Sequence, residues 1–116
     1  MSSPSTIERR ERVRRRTERL RRAIGATDII AAGTLQVRTK TCGRSNCRCA
    51  KDPAARHGPY YEWARMIEGR VVRVLLSKDQ ADLIKEGIEN RHQVETLLDE
   101  WSAETAAEVL NAKKRE

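Results

Sequence analysis

Three cysteines and a histidine gather in one stretch of this basic chain, "TCGRSNCRCAKDPAARHGPYYEW", residues 41–63. The spacing is Cys42-x4-Cys47-x-Cys49-x7-His57. Three thiolates and one imidazole make a complete tetrahedral shell for zinc, with no position left open for catalysis. Gly43 and Gly58 relieve crowding where a chain must wrap an ion, and Pro53 and Pro59 stiffen the return path. Arg44, Arg48 and Lys51 favour the thiolate form and offset the negative charge of a three-thiolate centre. A metal would also add folding free energy to a chain with little core. Two other readings use the same residues. One is a polar loop of reduced thiols, ordered by a hydrogen-bonded His57. The other is a redox pair, Cys47 with Cys49 or Cys42. An odd cysteine count argues against a closed set of disulfides.

The elements around this loop are legible from periodicity. Val13, Thr17, Leu20 and Ile24 fall on one helix face, which predicts a helix from about Thr6 to Ile24, broken at Gly25. The stripe is thin and suits packing against a single neighbouring helix. "TLQVRTKT" alternates, with Leu35 and Val37 on one side, and reads as a half-buried strand running into the cysteine loop. "PYYEWARMIEGRVVRVLLS" reads as a hairpin around Glu68-Gly69. A two-residue turn sets Tyr61 opposite Leu76, Trp63 opposite Val74 and Ile67 opposite Arg70. Because Glu is a poor residue for positive φ, a longer loop with Gly69 in a bulge is the alternative, and it would swap the faces. Ser77 and Gln80 form a capping box, so a helix starts at Lys78. It runs to about Asn111, with Gly87 and Arg91-His92 as points of kinking or interruption.

Charge is distributed in blocks. Residues 1–22 hold nine Arg against three Glu, and residues 38–73 hold nine Arg or Lys against three acids. Residues 77–116 hold six bases against ten acids. The N-terminal and C-terminal helices therefore suit each other electrostatically, in one chain or across a homodimer. Clustered arginine is also the usual footprint of phosphate binding. The candidates for nucleic-acid contact are Arg9, Arg10, Arg12, Arg14, Arg15 and Arg16 on the first helix, and Arg38, Lys40, Arg44 and Arg48 on the strand and loop. Arg65, Arg70 and Arg73 on the hairpin join them. Tyr60 and Tyr61 alternate across a strand, which leaves Tyr60 able to stack on a base. Nothing resembles a base-reading helix, so DNA, favoured over RNA, would be held by its backbone.

"GTLQVRTKTCGRSNCRCA", then "HGPYYEW", then "EGRVVRVLLS" and a charged helix resemble a family of small prokaryotic domains of unknown function. The likeness covers about residues 33–91. The arginine-dense first helix is not part of that pattern, and Arg44 stands where Lys is usual. Members of that family are often met near transposases and integrases. The resemblance therefore implies a nucleic-acid-linked role beside a mobile genetic element, with a recombinase or transposase as partner.

The sequence argues against an enzyme. Its only histidines are His57 and His92, and its acids concentrate on the last helix as ordinary surface charge. No apolar run approaches the ~20 residues that span a bilayer, and the first residues lack a signal-peptide core. We expect a cytoplasmic protein with reduced thiols. The expected fold class is α+β. A hairpin plus one strand makes a small antiparallel sheet, with the Cys/His loop at its end and a long C-terminal helix packed on one face. An Arg-rich helix precedes this domain. We divide the chain into a basic arm (1–25), a Cys/His and hairpin domain with the start of the long helix (26–93) and an acidic helix end (94–116). The expected function is a non-catalytic nucleic-acid-binding accessory protein. A helical assembly module without nucleic-acid binding, and a thiol redox or metal sensor, are the alternatives.

Overall fold

The computed structural model describes residues 5–114. Helices α1 (Thr6–Arg16) and α2 (Glu18–Gly25) precede strand β1 (Thr34–Lys40). The cysteine loop follows, with two short 3-10 turns at Arg48–Ala50 and Pro53–Ala55. Strands β2 (His57–Ile67) and β3 (Arg70–Leu76) lead into helix α3 (Lys78–Lys114). The sheet is antiparallel in the order β1-β2-β3. The chain forms two compact units. One joins the N-terminal segment, through Ile29, to the chain from Asn90 onward, and the other is Ile30–Glu89.

In the first unit the expected stripe is the buried seam. Thr17 and Leu20 are fully buried, while Val13 and Ile24 are half-buried. The one long helix expected over this region is two. Thr17 departs to φ −104°, ψ 8°, and its hydroxyl donates to the Val13 carbonyl at 2.8 Å. Such back-bonding of a buried threonine bends a helix. Charge pairing holds the antiparallel partners together. Arg12 meets Glu108 at 3.0 Å, Arg16 meets Glu108 at 3.7 Å and Glu104 at 4.0 Å, and Arg19 meets Glu100 at 2.6 Å. The complementarity anticipated between the two terminal helices is thus met within one chain. Glu108 is buried, so removing both Arg12 and Arg16 would strand its charge in a poorly solvated place.

In the second unit the hairpin has the two-residue turn and the register it implies: Tyr61↔Leu76, Trp63↔Val74, Ile67↔Arg70. Glu68 (φ 49°) and Gly69 (φ 79°) both take the left-handed conformation, as a type I′ turn demands. The strand twist outweighs the poor preference of Glu for that region. Leu35 and Val37 of β1 join the same face through Trp63 and Tyr61. On that face Val37, Ile67, Val72 and Val74 stay at least 38% exposed, while Tyr61, Trp63 and Leu76 are half-buried. The capping box is present, with the Ser77 amide donating to Gln80 Oε1 at 2.9 Å and the Gln80 amide to Ser77 Oγ at 3.2 Å. Gly87 does not interrupt α3, which is a single helix of 37 residues. It is buried against the Ile30–Ala31 backbone, where an added Cβ would lie 3.0 Å from the Ala31 nitrogen. The residue therefore serves close approach.

Candidate metal centre

β1 delivers the chain to Cys42 and β2 begins at His57, so the sheet fixes both ends of the loop. Their pairing carries a bulge. Arg38 faces Tyr60, but Lys40 faces His57, which places one extra residue in β2 at Gly58–Pro59. Bulges of this kind re-aim side chains. Gly58 takes φ +124°, and an added Cβ would meet the Arg38 carbonyl oxygen at 2.9 Å. The Gly58–Pro59 peptide is cis. Beyond the bulge, His57 Nε2 lies 3.5 Å from Cys47 Sγ.

The loop's interior supplies the rest. The Cys47 amide donates to the Arg44 carbonyl at 3.3 Å, and the 3-10 turn that follows carries Cys49 inward, where it is buried. The Asp52 carboxylate caps the second short turn through the Ala54 amide at 3.0 Å. Cys42 Sγ and Cys49 Sγ are 3.5 Å apart, and the Cys42 amide donates to Cys49 Sγ at 3.4 Å. The ligand atoms of Cys42, Cys47, Cys49 and His57 all lie within 4.8 Å of one another. The four could hold a metal ion.

Two of the six ligand–ligand separations can be compared with tetrahedral coordination. Bonds of about 2.3 Å to sulfur and 2.0 Å to nitrogen imply tetrahedral ligand–ligand edges of roughly 3.5–3.8 Å. The two 3.5 Å separations match those edges. The thiols also differ among themselves. Hydrogen bonding from the Cys49 amide, then from the Cys49 and Cys42 thiols, lowers the pKa of Cys47. For Cys49 the Cys42 amide acts downward, but burial and the Cys47 and Cys42 thiols outweigh it, and the net shift is upward. A cleft lined by Cys42, Arg44, Asn46, Cys47 and His57 keeps the cluster within reach of solvent.

The candidate phosphate contacts are sorted by their partners. Arg12 and Arg16 are held by acids of α3. Arg38 and Arg73 share Glu62, at 3.9 and 3.2 Å, and Arg48 faces Asp52 at 3.7 Å. Arg65 stacks 4.1 Å from the Trp63 ring centroid, and that indole donates to the Ala32 carbonyl at 2.8 Å. Lys40 sits 5.5 Å from the ring centroid of Tyr60, which is 37% exposed, while Tyr61 is half-buried. Among the described residues, Arg9, Arg10, Arg14, Arg15, Lys40, Arg44 and Arg70 have no carboxylate within 4.0 Å. Sequence reasoning left Lys51 and Arg56 out of this set. Both are exposed and have no carboxylate within 4.0 Å among the described residues. Their place between two cluster ligands was the available signal. His92 lies on the surface, 3.9 Å from Glu95.

Residues 8–86 match the family described as Domain of unknown function (DUF6788). The chain belongs to this family. The matched region begins at Glu8, so it takes in the arginine-rich α1 and α2, which the sequence resemblance had placed outside the pattern, and it ends within α3. No curated protein and no solved structure matches the chain.

Proposed function

We propose that this protein is a non-catalytic nucleic-acid-binding module, built on a loop that a structural zinc holds in shape. The observation that carries the reading is the charge around the Cys/His cluster. Segment Lys40–His57 contains five cations, Lys40, Arg44, Arg48, Lys51 and Arg56, against the single acid Asp52. A zinc tristhiolate adds one further negative charge, so three positive charges remain. Nothing among the described residues neutralises Lys40, Arg44, Lys51 or Arg56. Tyr60 adds an exposed ring beside Lys40, a combination suited to a backbone phosphate and a stacked base.

Zinc, when bound, cross-links the two ends of the loop and the 3-10 turn between them. Cys42 and His57 secure the strand ends, and Cys47 and Cys49 secure the turn. Four protein ligands close the shell, which makes the metal architectural. The arginines of α1 play a smaller part in this reading than their number suggests, because Arg12 and Arg16 already have carboxylate partners. The resemblance to domains found beside transposases and integrases makes DNA of a mobile element the favoured target and a recombinase the favoured partner. No base-reading element accompanies the charge, so contact is to the backbone and is sequence-tolerant.

The test is anisotropy of labelled duplex and single-stranded DNA across a salt series. Four neutralised phosphates give a slope of log affinity against log salt near −3.6 for duplex and about −2.8 for single strands. A variant with Lys40, Arg44, Lys51 and Arg56 changed to Ala should lose most of that slope. Binding that ignores salt, or no binding at low salt, would leave the assembly-module reading in its place.

A further inference from the structure

The α-helical unit carries a groove of about 640 Å³ between α1/α2 and the C-terminal part of α3. Val13, Trp101 and Val109 line it with apolar surface, and Val109 is half exposed. Arg9, Arg10, Arg14 and Arg21 line it with charge. The one acid in the lining, Glu108, is bound by Arg12 and Arg16. Apolar surface edged by uncompensated cations is an unusual surface to leave to water. Two of the donors are also unsatisfied: Arg9 Nε and Arg21 Nε are buried and have no acceptor among the described residues. Buried unpaired donors are rare, and these two mark a place where the cationic wall of the groove lacks acceptors of its own.

We propose that this groove binds an acidic amphipathic helix of another protein. Its apolar side would lie on Trp101, Val13 and Val109, and its carboxylates would meet the four arginines. A helix laid in a groove is read by anchors at i, i+3, i+4 and i+7, and Trp and Arg are the residues that most often carry such interfaces. The observations select among occupants. A phosphate backbone would satisfy the arginines but would bury the indole against nothing apolar. A second copy would bring the same basic rim, because its Glu100, Glu104 and Glu108 are already paired with its own arginines. Residues 1–4 hold no acid and residues 112–116 hold three bases against Glu116, so neither segment supplies the carboxylates. The proposal does not rest on the zinc or on nucleic-acid binding by the loop.

The probe is a fluorescent synthetic helix with leucines at i, i+3, i+4 and i+7 and glutamates on both flanks. Its control carries lysines in place of the glutamates. Binding is read by anisotropy, and the site by the Trp101 indole N–H signal in NMR, with Trp63 as internal reference. The glutamate peptide should bind and move Trp101, and the lysine peptide should do neither. Arg10 and Arg14 are exposed and make no ion pair, so the double variant R10E/R14E should fold normally by circular dichroism. It should weaken the peptide about tenfold, as expected for two charge contacts of roughly 0.7 kcal/mol each. Four results would overturn the proposal: equal binding of the two peptides, no binding at about 1 mM, undiminished binding by R10E/R14E, or a Trp101 that ignores the peptide. If instead duplex DNA moved Trp101, the groove would belong to nucleic acid. If Trp101 moved when the protein alone was concentrated, it would belong to a second copy.

Discussion

Replacing Gly58 by Ala should damage the metal centre, whereas the same change at Gly43, also beside a cysteine/histidine ligand, should be mild. Both glycines have positive φ, +124° and +82° respectively. Around Gly43 an added Cβ would find open space, so Ala there carries only the conformational cost, about 1–2 kcal/mol. Around Gly58 it would lie 2.9 Å from the Arg38 oxygen, 3.1 Å from the Tyr60 nitrogen and 3.3 Å from the Thr39 Cα. All three are backbone atoms and cannot rotate away. Conformational strain of about 1–3 kcal/mol is then joined by an overpacking cost of similar size, for a total of about 2–6 kcal/mol with a central value of about 3–4 kcal/mol. The cheapest relief is to flatten the bulge, which moves His57 away from the thiolates. If the strain is relieved entirely at the metal, zinc affinity falls by two to three decades, at about 1.4 kcal/mol per decade. Chelator competition measures the affinity, and thermal unfolding of the metal-free variants measures the strain that remains. Equal effects of the two substitutions, or a Gly58→Ala protein that holds zinc as tightly as the parent, would refute the claim that this bulge aims His57.

Gly87→Ala should lower stability by about 1 kcal/mol, because the crowding of a Cβ 3.0 Å from Ala31 outweighs a helix-propensity gain of about 1 kcal/mol. A higher melting temperature would show propensity winning. Glu68→Asn, at φ 49° in the first position of a type I′ turn, should raise the urea midpoint by the equivalent of about 0.5–1 kcal/mol, and a lower midpoint would contradict the turn. In metal-free protein, iodoacetamide should modify Cys47 first and Cys49 last. The lowered pKa of Cys47 keeps its thiolate present to lower pH, while Cys49 is raised and buried. Peptide mapping across a pH series that found the two reacting alike would overturn that order.

What the sequence revealed and what it withheld divide along physical lines. The hairpin itself was readable from strict alternation, but its register was not settled, because a poor preference of Glu68 for positive φ left a longer loop with a Gly69 bulge open until the structure showed the two-residue turn. The capping box at Ser77 and Gln80 was readable because it is a local exchange of two hydrogen bonds. The seam of Val13, Thr17, Leu20 and Ile24 was readable as a period. Gly87 was misread as a break because its reason for being glycine lies in a segment more than fifty residues away, at Ala31. The split at Thr17 depends on which way a buried hydroxyl turns. The four residues of the cluster were legible as types, but the bulge that turns His57 toward Cys47 was not, since only strand pairing reveals the extra residue. The state of each arginine was the least legible feature. Arg12 and Arg10 look alike in sequence, and only the folded α3 shows that the first has Glu108 as a partner while the second has no carboxylate partner among the described residues.

The central claim is that Cys42, Cys47, Cys49 and His57 hold a zinc ion that shapes the cationic loop. Elemental analysis of protein purified without a histidine tag, followed by melting with and without chelator, tests it most directly. About one zinc per chain is the expected result, lost on Cys49→Ala, together with a melting temperature that falls when the metal is withdrawn. Zinc well below one equivalent, with melting indifferent to chelator, would leave a polar loop of reduced thiols and contradict the account.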